Sequence, residues 1–248
     1  MQAMILAAGL GTRLKPLTDT LPKALIEING QPLLRIIIEK LISNDFNKII
    51  INVHHFSGKI KEFLSDHSFA ADIIVSDESE LLLDTGGGIK FAKKHFDDTP
   101  LLVHNVDIIS DLNLKEFYHA HLLSDASATL AVSSRNSGRY LLFNKERLLC
   151  GWEDVKNNQK IITRHESGLS RFAFDGIHIL NPKIIGQFPA ERVFSVIKAY
   201  LKLAPETKIC GYTANNLKWL DTGKPENLDE AAKLIKEFQD SAKARTDE

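Results

Sequence analysis

Short apolar runs alternate with stretches of helical spacing through the first half of the chain. Ala3–Ala8 reads as a buried strand running into a Gly-rich turn, Lys48–Val53 as a second strand, Asp72–Val75 as a third and Leu101–Val103 as a fourth. Continuous apolar runs of this kind suit strands covered on both faces. Leu33–Ile42, Gly58–Leu64 and Gly88–Phe96 carry helical spacing between them. The alternation predicts crossover units and a doubly wound, mainly parallel α/β sheet. After Asp125 the pattern changes. Ala128–Ser133, Arg139–Phe143, Arg171–Leu180 and Lys208–Tyr212 are predicted strands with little helix between them, and Phe194–Leu203 is a predicted amphipathic helix. From Pro225 to about Ala244 a last helix is predicted, with Leu228, Ala231, Ala232, Ile235 and Phe238 on one face. No repeat or low-complexity linker divides the chain, so residues 1–248 are expected to form one domain. Its expected parts are a first half (1–125), a second half (126–224) and a C-terminal helix (225–248).

Charge and composition remove several function classes. The 248 residues carry 31 Lys+Arg against 32 Asp+Glu, a formal net charge of −1. A protein that grips nucleic acid usually carries a basic excess, so no nucleic-acid partner is expected. With 44% hydrophobic and 25% charged residues the chain has ordinary globular composition. Cys150 and Cys210 have no ligand-type neighbour, which argues against a structural zinc site. No stretch approaches the ~20 apolar residues of a membrane helix, and Met1–Leu6 has neither a basic nor a long apolar signal region. No membrane partner and a cytoplasmic location are expected.

The chemistry is concentrated in four segments. In the first, Ala7-Ala8-Gly9-Leu10-Gly11-Thr12-Arg13 closes strand one and Pro22-Lys23 follows. Small residues there let backbone N–H groups approach a phosphate, and Arg13 and Lys23 supply permanent positive charge. It is not a P-loop, whose Gly-x-x-x-x-Gly-Lys-Ser/Thr spacing is absent, and Leu14 stands where a dinucleotide fingerprint needs its third glycine. Asp84-Thr85-Gly86-Gly87-Gly88 opens a helix with no side chains between backbone and ligand, and Glu80 lies just upstream, either as a base acceptor or as a solvated acid. Asn105-Val106-Asp107 follows strand four, where open α/β sheets place ligands. Trp219-Leu220-Asp221-Thr222-Gly223-Lys224-Pro225-Glu226 is the fourth. His54-His55 and His119/His121 lack a third ligand at a recognisable spacing and read as surface or loop-packing residues.

Together these segments resemble the sugar-1-phosphate nucleotidyltransferases, along nearly the whole chain. The resemblance implies a Rossmann-like, doubly wound mixed sheet with an inserted sugar-binding lobe, the nucleotide-diphospho-sugar transferase-like fold. It implies that Ala8, Gly9, Gly11, Thr12, Arg13 and Lys23 bind a nucleoside triphosphate, that Gly86 and Glu80 face its base, and that Asp107 and Asp221 hold Mg²⁺. Val106 departs from the family's usual glycine. Phe174-Asp175-Gly176-Ile177 resembles the segment beside the sugar, making Asn105 and Gly176 candidates for the sugar phosphate, whereas the family's Glu-x-Lys-Pro segment has no counterpart. The implied reaction joins a nucleoside triphosphate and a sugar 1-phosphate into a nucleotide sugar and pyrophosphate, with Arg13, Lys23, Asp107 and Asp221 catalytic. Ile51-Asn52-Val53-His54-His55, with the glycine triplet and Phe174–Ile177, is most similar to the N-acetylmuramate 1-phosphate uridylyltransferases of cell-wall recycling, so UTP is the favoured triphosphate. Mannose 1-phosphate guanylyltransferases come next and short cytidylyltransferases third, and a catalytically idle nucleotide-sugar-binding relative is the alternative of another class. A monomer or small homo-oligomer is expected.

Overall fold

The computed structural model describes residues 1–246. Its strands are β1 (Gln2–Leu6), β2 (Glu27–Ile28), β3 (Gln31–Pro32), β4 (Lys48–Val53), β5 (Asp72–Asp77), β6 (Leu101–Asn105), β7 (Ile108–Ser110), β8 (Ala128–Ser133), β9 (Arg139–Phe143), β10 (Leu149–Asp154), β11 (Gln159–Ile162), β12 (Ser170–Leu180), β13 (Ile209–Tyr212) and β14 (Trp219–Asp221). The helices are α1 (Leu33–Ser43), α2 (Ser57–Ser65), α3 (Asp84–Ala92), α4 (Leu114–Ser124), α5 (Val196–Leu203) and α6 (Leu228–Thr246).

β1 lies between β4 and β6 and β4 pairs with β5, all in parallel register. The second half is grafted onto this parallel centre through β12, which runs antiparallel to β6, β8 and β9. β10 and β11 extend that antiparallel edge, and β13 joins β8 in parallel. The result is one mixed ten-stranded sheet.

Successive strand residues point to opposite faces, so an unbroken apolar strand feeds two cores at once. Ala3, Ile5, Ile49 and Ile51 pack into one core with Leu34, Ile37, Ile38 and Leu41 of α1, Phe117 of α4, and Ala231 and Ile235 of α6. Met4 and Ile50 face the other core with Ile89 of α3 and Ala199 and Tyr200 of α5. Leu228, Ala232 and Phe238 also lie against the first core, as the spacing of the last helix requires.

α3 starts at Asp84, earlier than the predicted Gly88, because Gly86, Gly87 and Gly88 are all helical. Glycine is a poor helix former, and a close approach compensates here. The Gly86 and Gly87 amides both donate to the Phe194 carbonyl, at 2.9 and 3.1 Å. A Cβ on Gly87 would lie 2.2 Å from the Arg192 carbonyl oxygen. Gly87→Ala must therefore separate α3 from the segment that leads into α5. A loss of about 1–3 kcal/mol is expected, readable as a lower urea midpoint with an unchanged slope.

Candidate active site

The loop after β1 is held by its own small residues. Gly11 has a φ of 64°, and a Cβ there would meet Thr18 Cγ2 at 2.8 Å and Lys23 Cβ at 3.1 Å. That left-handed turn is open to glycine at little cost. The Gly11 carbonyl accepts from Leu14 N at 2.8 Å and Thr18 Oγ1 at 2.9 Å, and Leu14 is fully buried, so the turn is pinned to the core. Thr12 and Arg13 stand exposed on its outside, while Lys23 follows Pro22 into a short helical turn with Ala24 and Leu25 buried.

Asp107 and Asp221 come from distant parts of the sequence but meet on a two-stranded ribbon. β7 and β14 pair antiparallel with Asp221 opposite Ile108. One residue on, Thr222 donates its N–H (2.9 Å) and its hydroxyl (3.0 Å) to the Asp107 carbonyl. Lys23 Nζ is ion-paired with Asp107 Oδ2, and Arg13 Nη1 lies 3.6 Å from Asp221 Oδ2. A Cβ on Gly223 would sit 2.5 Å from Arg13 Nη2, 2.7 Å from Asp221 Oδ1 and 2.9 Å from Lys23 Nζ. Two cations and two carboxylates thus converge, and the missing Gly223 side chain leaves room for them.

A cleft of about 460 Å³ opens beside this cluster, lined among others by Ala8, Gly9, Lys23, Asn105 and Asp107. Asn52, Glu78 and Thr85 also line it. Neither Asn52 nor Glu78 was assigned a role from sequence, although Asn52 ends a parallel strand, where open sheets bind ligands. Asn52 Oδ1 accepts from Ala7 N at 2.8 Å, and the Asn52 amide and the Leu83 N–H lie near enough to the Glu78 carboxyl to favour its ionised form. Glu80, expected either as a base acceptor or as a solvated acid, is exposed and lines a second hollow with Glu78, Arg192 and Phe91. The difference arises at the strand end. Glu78 N still bonds Val53 O at 2.9 Å, as if β5 continued, whereas the next residues turn outward.

Gly86 also departs from expectation. It is buried, and a Cβ there would lie 2.5 Å from the Phe194 ring, so its bareness serves helix packing and it does not line the cleft. Gly176 has a φ of 75° and a Cβ there would meet Asn105 Nδ2 at 2.9 Å and Ile108 Cγ1 at 2.8 Å. The irregular register of β12 between Phe174 and His178 thus lets Asn105 lie across it. Val106 is buried and its N–H bonds Leu6 O at 3.2 Å, so the substitution for glycine leaves the strand end tied to β1.

Burial pushes the Glu78 carboxyl up to about 7, with Asp84 and Asp77 adding repulsion against the Asn52 and Leu83 hydrogen bonds. The residue is 4% exposed and Oε2 has no hydrogen-bond partner among the described residues. A carboxyl whose folded pKa is raised holds its proton longer in the folded chain than in the unfolded one. Stability should therefore fall as pH rises from about 4.5 to about 7, by up to about 3 kcal/mol for the free protein. Glu78→Gln should flatten that slope in urea unfolding measured at pH 5 and pH 7.5; an unchanged slope would refute the assignment.

The donor set suits a hard divalent cation. Asp107 and Asp221 offer carboxylate oxygens, and among the described residues no three His, Cys, Asp or Glu side chains form a protein-only metal cage. Mg²⁺ binds through one or two carboxylates and fills its octahedron with water and substrate phosphate. One histidine of each pair noted in the sequence is engaged elsewhere, His54 Nδ1 on Glu78 O at 2.8 Å and His121 Nδ1 on Thr129 Oγ1 at 2.8 Å. Cys150 and Cys210 are free thiols.

Residues 2–237 match the Nucleotidyl transferase family. The chain is 31% identical over 236 residues to an N-acetylmuramate alpha-1-phosphate uridylyltransferase of Caulobacter vibrioides, covering 90% of this chain and 92% of that protein. A mannose-1-phosphate guanyltransferase of Yarrowia lipolytica is 26% identical over 232 residues, 92% of this chain and 62% of its own length. Among solved structures, an inositol-1-phosphate CTP transferase from T. maritima shares the fold with a TM-score of 0.74 at 16% identity, covering 95% of this chain and 94% of that one. The mixed sheet is accordingly that of the nucleotide-diphospho-sugar transferases, and no helix among the described residues is long and apolar enough to cross a membrane. The chain belongs to the nucleotidyl transferase family and is a sugar-1-phosphate nucleotidyltransferase.

Proposed function

We propose that the protein transfers a uridylyl group from UTP to N-acetylmuramate 1-phosphate in the presence of Mg²⁺, releasing pyrophosphate. The observation that carries the reaction is the convergence of Arg13, Lys23, Asp107 and Asp221 beside the cleft, with Lys23 and Asp107 lining it. The choice of substrates is supported by the 31% identity to the Caulobacter uridylyltransferase over nearly the full length of both chains.

A phosphate oxygen of the sugar 1-phosphate attacks the α-phosphorus, and the bond from that phosphorus to the β-phosphate oxygen breaks. A phosphate monoester has its second pKa near 6, so the nucleophile is already largely dianionic at neutral pH and no general base is needed. Such transfers depend mainly on alignment and charge neutralisation. Lys23, with a side chain only 10% exposed, acts in a less screened setting than Arg13 at 55%. It therefore supplies most of the charge that stabilises the departing pyrophosphate. A magnesium ion held by Asp107 and Asp221 would neutralise the phosphates of both substrates. Ala8, Gly9 and the Gly11 turn bring backbone close to the triphosphate, with Thr12 beside Arg13. Glu78 replaces Glu80 on the base side: its unpartnered oxygen can accept the N3–H of uracil when ionised or donate to a base carbonyl when protonated. Asn105, laid across Gly176, faces the sugar phosphate.

Five nucleoside triphosphates tested against several sugar 1-phosphates, with pyrophosphate release as the signal, check this reading. UTP with N-acetylmuramate 1-phosphate should turn over fastest, and only when Mg²⁺ is added. Preference for GTP with mannose 1-phosphate would overturn the substrate choice; no turnover with any pair would point to a nucleotide-sugar-binding protein without catalysis.

A further inference from the structure

The second half of the chain presents a cation that this reaction has not yet used. Arg135 follows β8, its Nε donating to Asp175 Oδ1 at 3.1 Å and its Nη2 to the Phe174 carbonyl at 2.7 Å. The guanidinium carbon lies 3.7 Å from the centroid of the Trp219 ring. Asp175 is fully buried and also receives Ser133 Oγ at 2.8 Å, while Trp219 Nε1 donates to the Asp175 carbonyl at 2.8 Å. Two hydrogen bonds and a stacked ring therefore fix the plane of the guanidinium. Its side chain nonetheless stays 29% exposed, and among the described residues no protein group accepts from Nη1.

The position of this cation is set by the ribbon. Trp219 and Asp221 are two residues apart in β14, so they share one face at a spacing of ~7 Å, with buried Leu220 on the other. On the opposite flank Asp175 precedes Gly176, the residue packed on Asn105 of the cleft. The guanidinium is thus tied to two segments that border the charged cluster, stacked on Trp219 two residues before Asp221 and bonded to Asp175 next to Gly176. The Nη1 edge stays open to take an anion. An arginine held rigid with an edge outward has already lost the side-chain freedom that binding would otherwise cost.

We propose that Arg135 is the anion receptor for the sugar substrate, its open N–H edge taking paired anionic oxygens of the incoming sugar 1-phosphate. This rests on the reaction proposed above, and the oxygens belong either to the lactyl carboxylate of a muramate or to the phosphate itself.

Three variants test this: Arg135→Lys, Arg135→Gln, and Arg135→Gln combined with Asp175→Asn, which avoids stranding a buried carboxylate. KM is measured for UTP, for N-acetylmuramate 1-phosphate and for N-acetylglucosamine 1-phosphate, which lacks the lactyl group; calorimetry reads binding of each sugar phosphate without turnover. Both Gln variants should raise KM for the muramate substrate about tenfold or more, leave KM for UTP within twofold, and weaken sugar binding by the same factor. Arg135→Lys should fall between, keeping the charge without the fork. An equal rise for both sugars assigns the phosphate, and a rise for the muramate alone assigns the carboxylate. Unchanged sugar KM values, or a parallel rise for UTP, would overturn the proposal. If wild type does not turn over N-acetylmuramate 1-phosphate, the substrate choice fails, and Arg135 is read on whichever sugar 1-phosphate does react.

Discussion

Asp107→Asn is expected to lower kcat at least about a hundredfold while leaving the fold intact. The amide keeps the shape of the carboxylate but is neutral and a poor ligand for a hard divalent ion. The backbone around it does not depend on the side chain, because the Asp107 carbonyl, which accepts both Thr222 donors, is retained. Asp221→Asn should behave alike. If the two acids hold one ion, the double variant should be little worse than either single one, since groups acting as a unit are far from additive. Wild-type turnover by either single variant, at any Mg²⁺ concentration, would remove that residue from the metal site. Near-ultraviolet circular dichroism of each variant separates loss of chemistry from loss of packing.

Lys23→Gln carries the second-largest expected effect. Removing a preorganised charge from a sheltered site costs about 10²–10³ in kcat in other enzymes, and Lys23 is the more sheltered of the two cations. Lys23→Arg should not rescue it. Nζ already lies 2.9 Å from the point a Gly223 Cβ would occupy, and Arg13 and Asp221 crowd the same point, so a planar guanidinium does not fit. Arg13→Ala, at an exposed and screened position, should cost only about tenfold. Equal losses at both positions would contradict this ranking of the two charges.

The parallel centre of the fold was legible because its strands are unbroken apolar runs. Lys48–Val53 matches its predicted bounds, as do Ala128–Ser133 and Arg139–Phe143 outside that centre, and β1 starts one residue before the predicted Ala3 and stops at Leu6, before the loop turns. β7 and β14 were not legible. Each is three residues long, and what makes them strands is pairing between segments far apart in sequence. The four residues of the charged cluster were all singled out from sequence, but the ribbon that joins the two acids could not be. β10 and β11 mix Trp152, Glu153, Lys160 and other polar positions at an edge, so no apolar run marks them. α4 was likewise missed. Glu80 and Glu78 differ only in which side of a turn they occupy, which backbone bonding to Val53 decides and composition does not. The bareness of Gly86 was legible, but its purpose was not: the ring that needs the space is Phe194, more than a hundred positions away.

The most direct measurement is anomalous diffraction from crystals grown with Mn²⁺ in place of Mg²⁺ and a non-hydrolysable UTP analogue. One manganese peak is expected, within about 2.2 Å of a carboxylate oxygen of both Asp107 and Asp221 and touching the α-phosphate. A peak bound to only one of the two, or lying away from both while the analogue fills the cleft, would contradict the shared ion on which the proposed reaction depends.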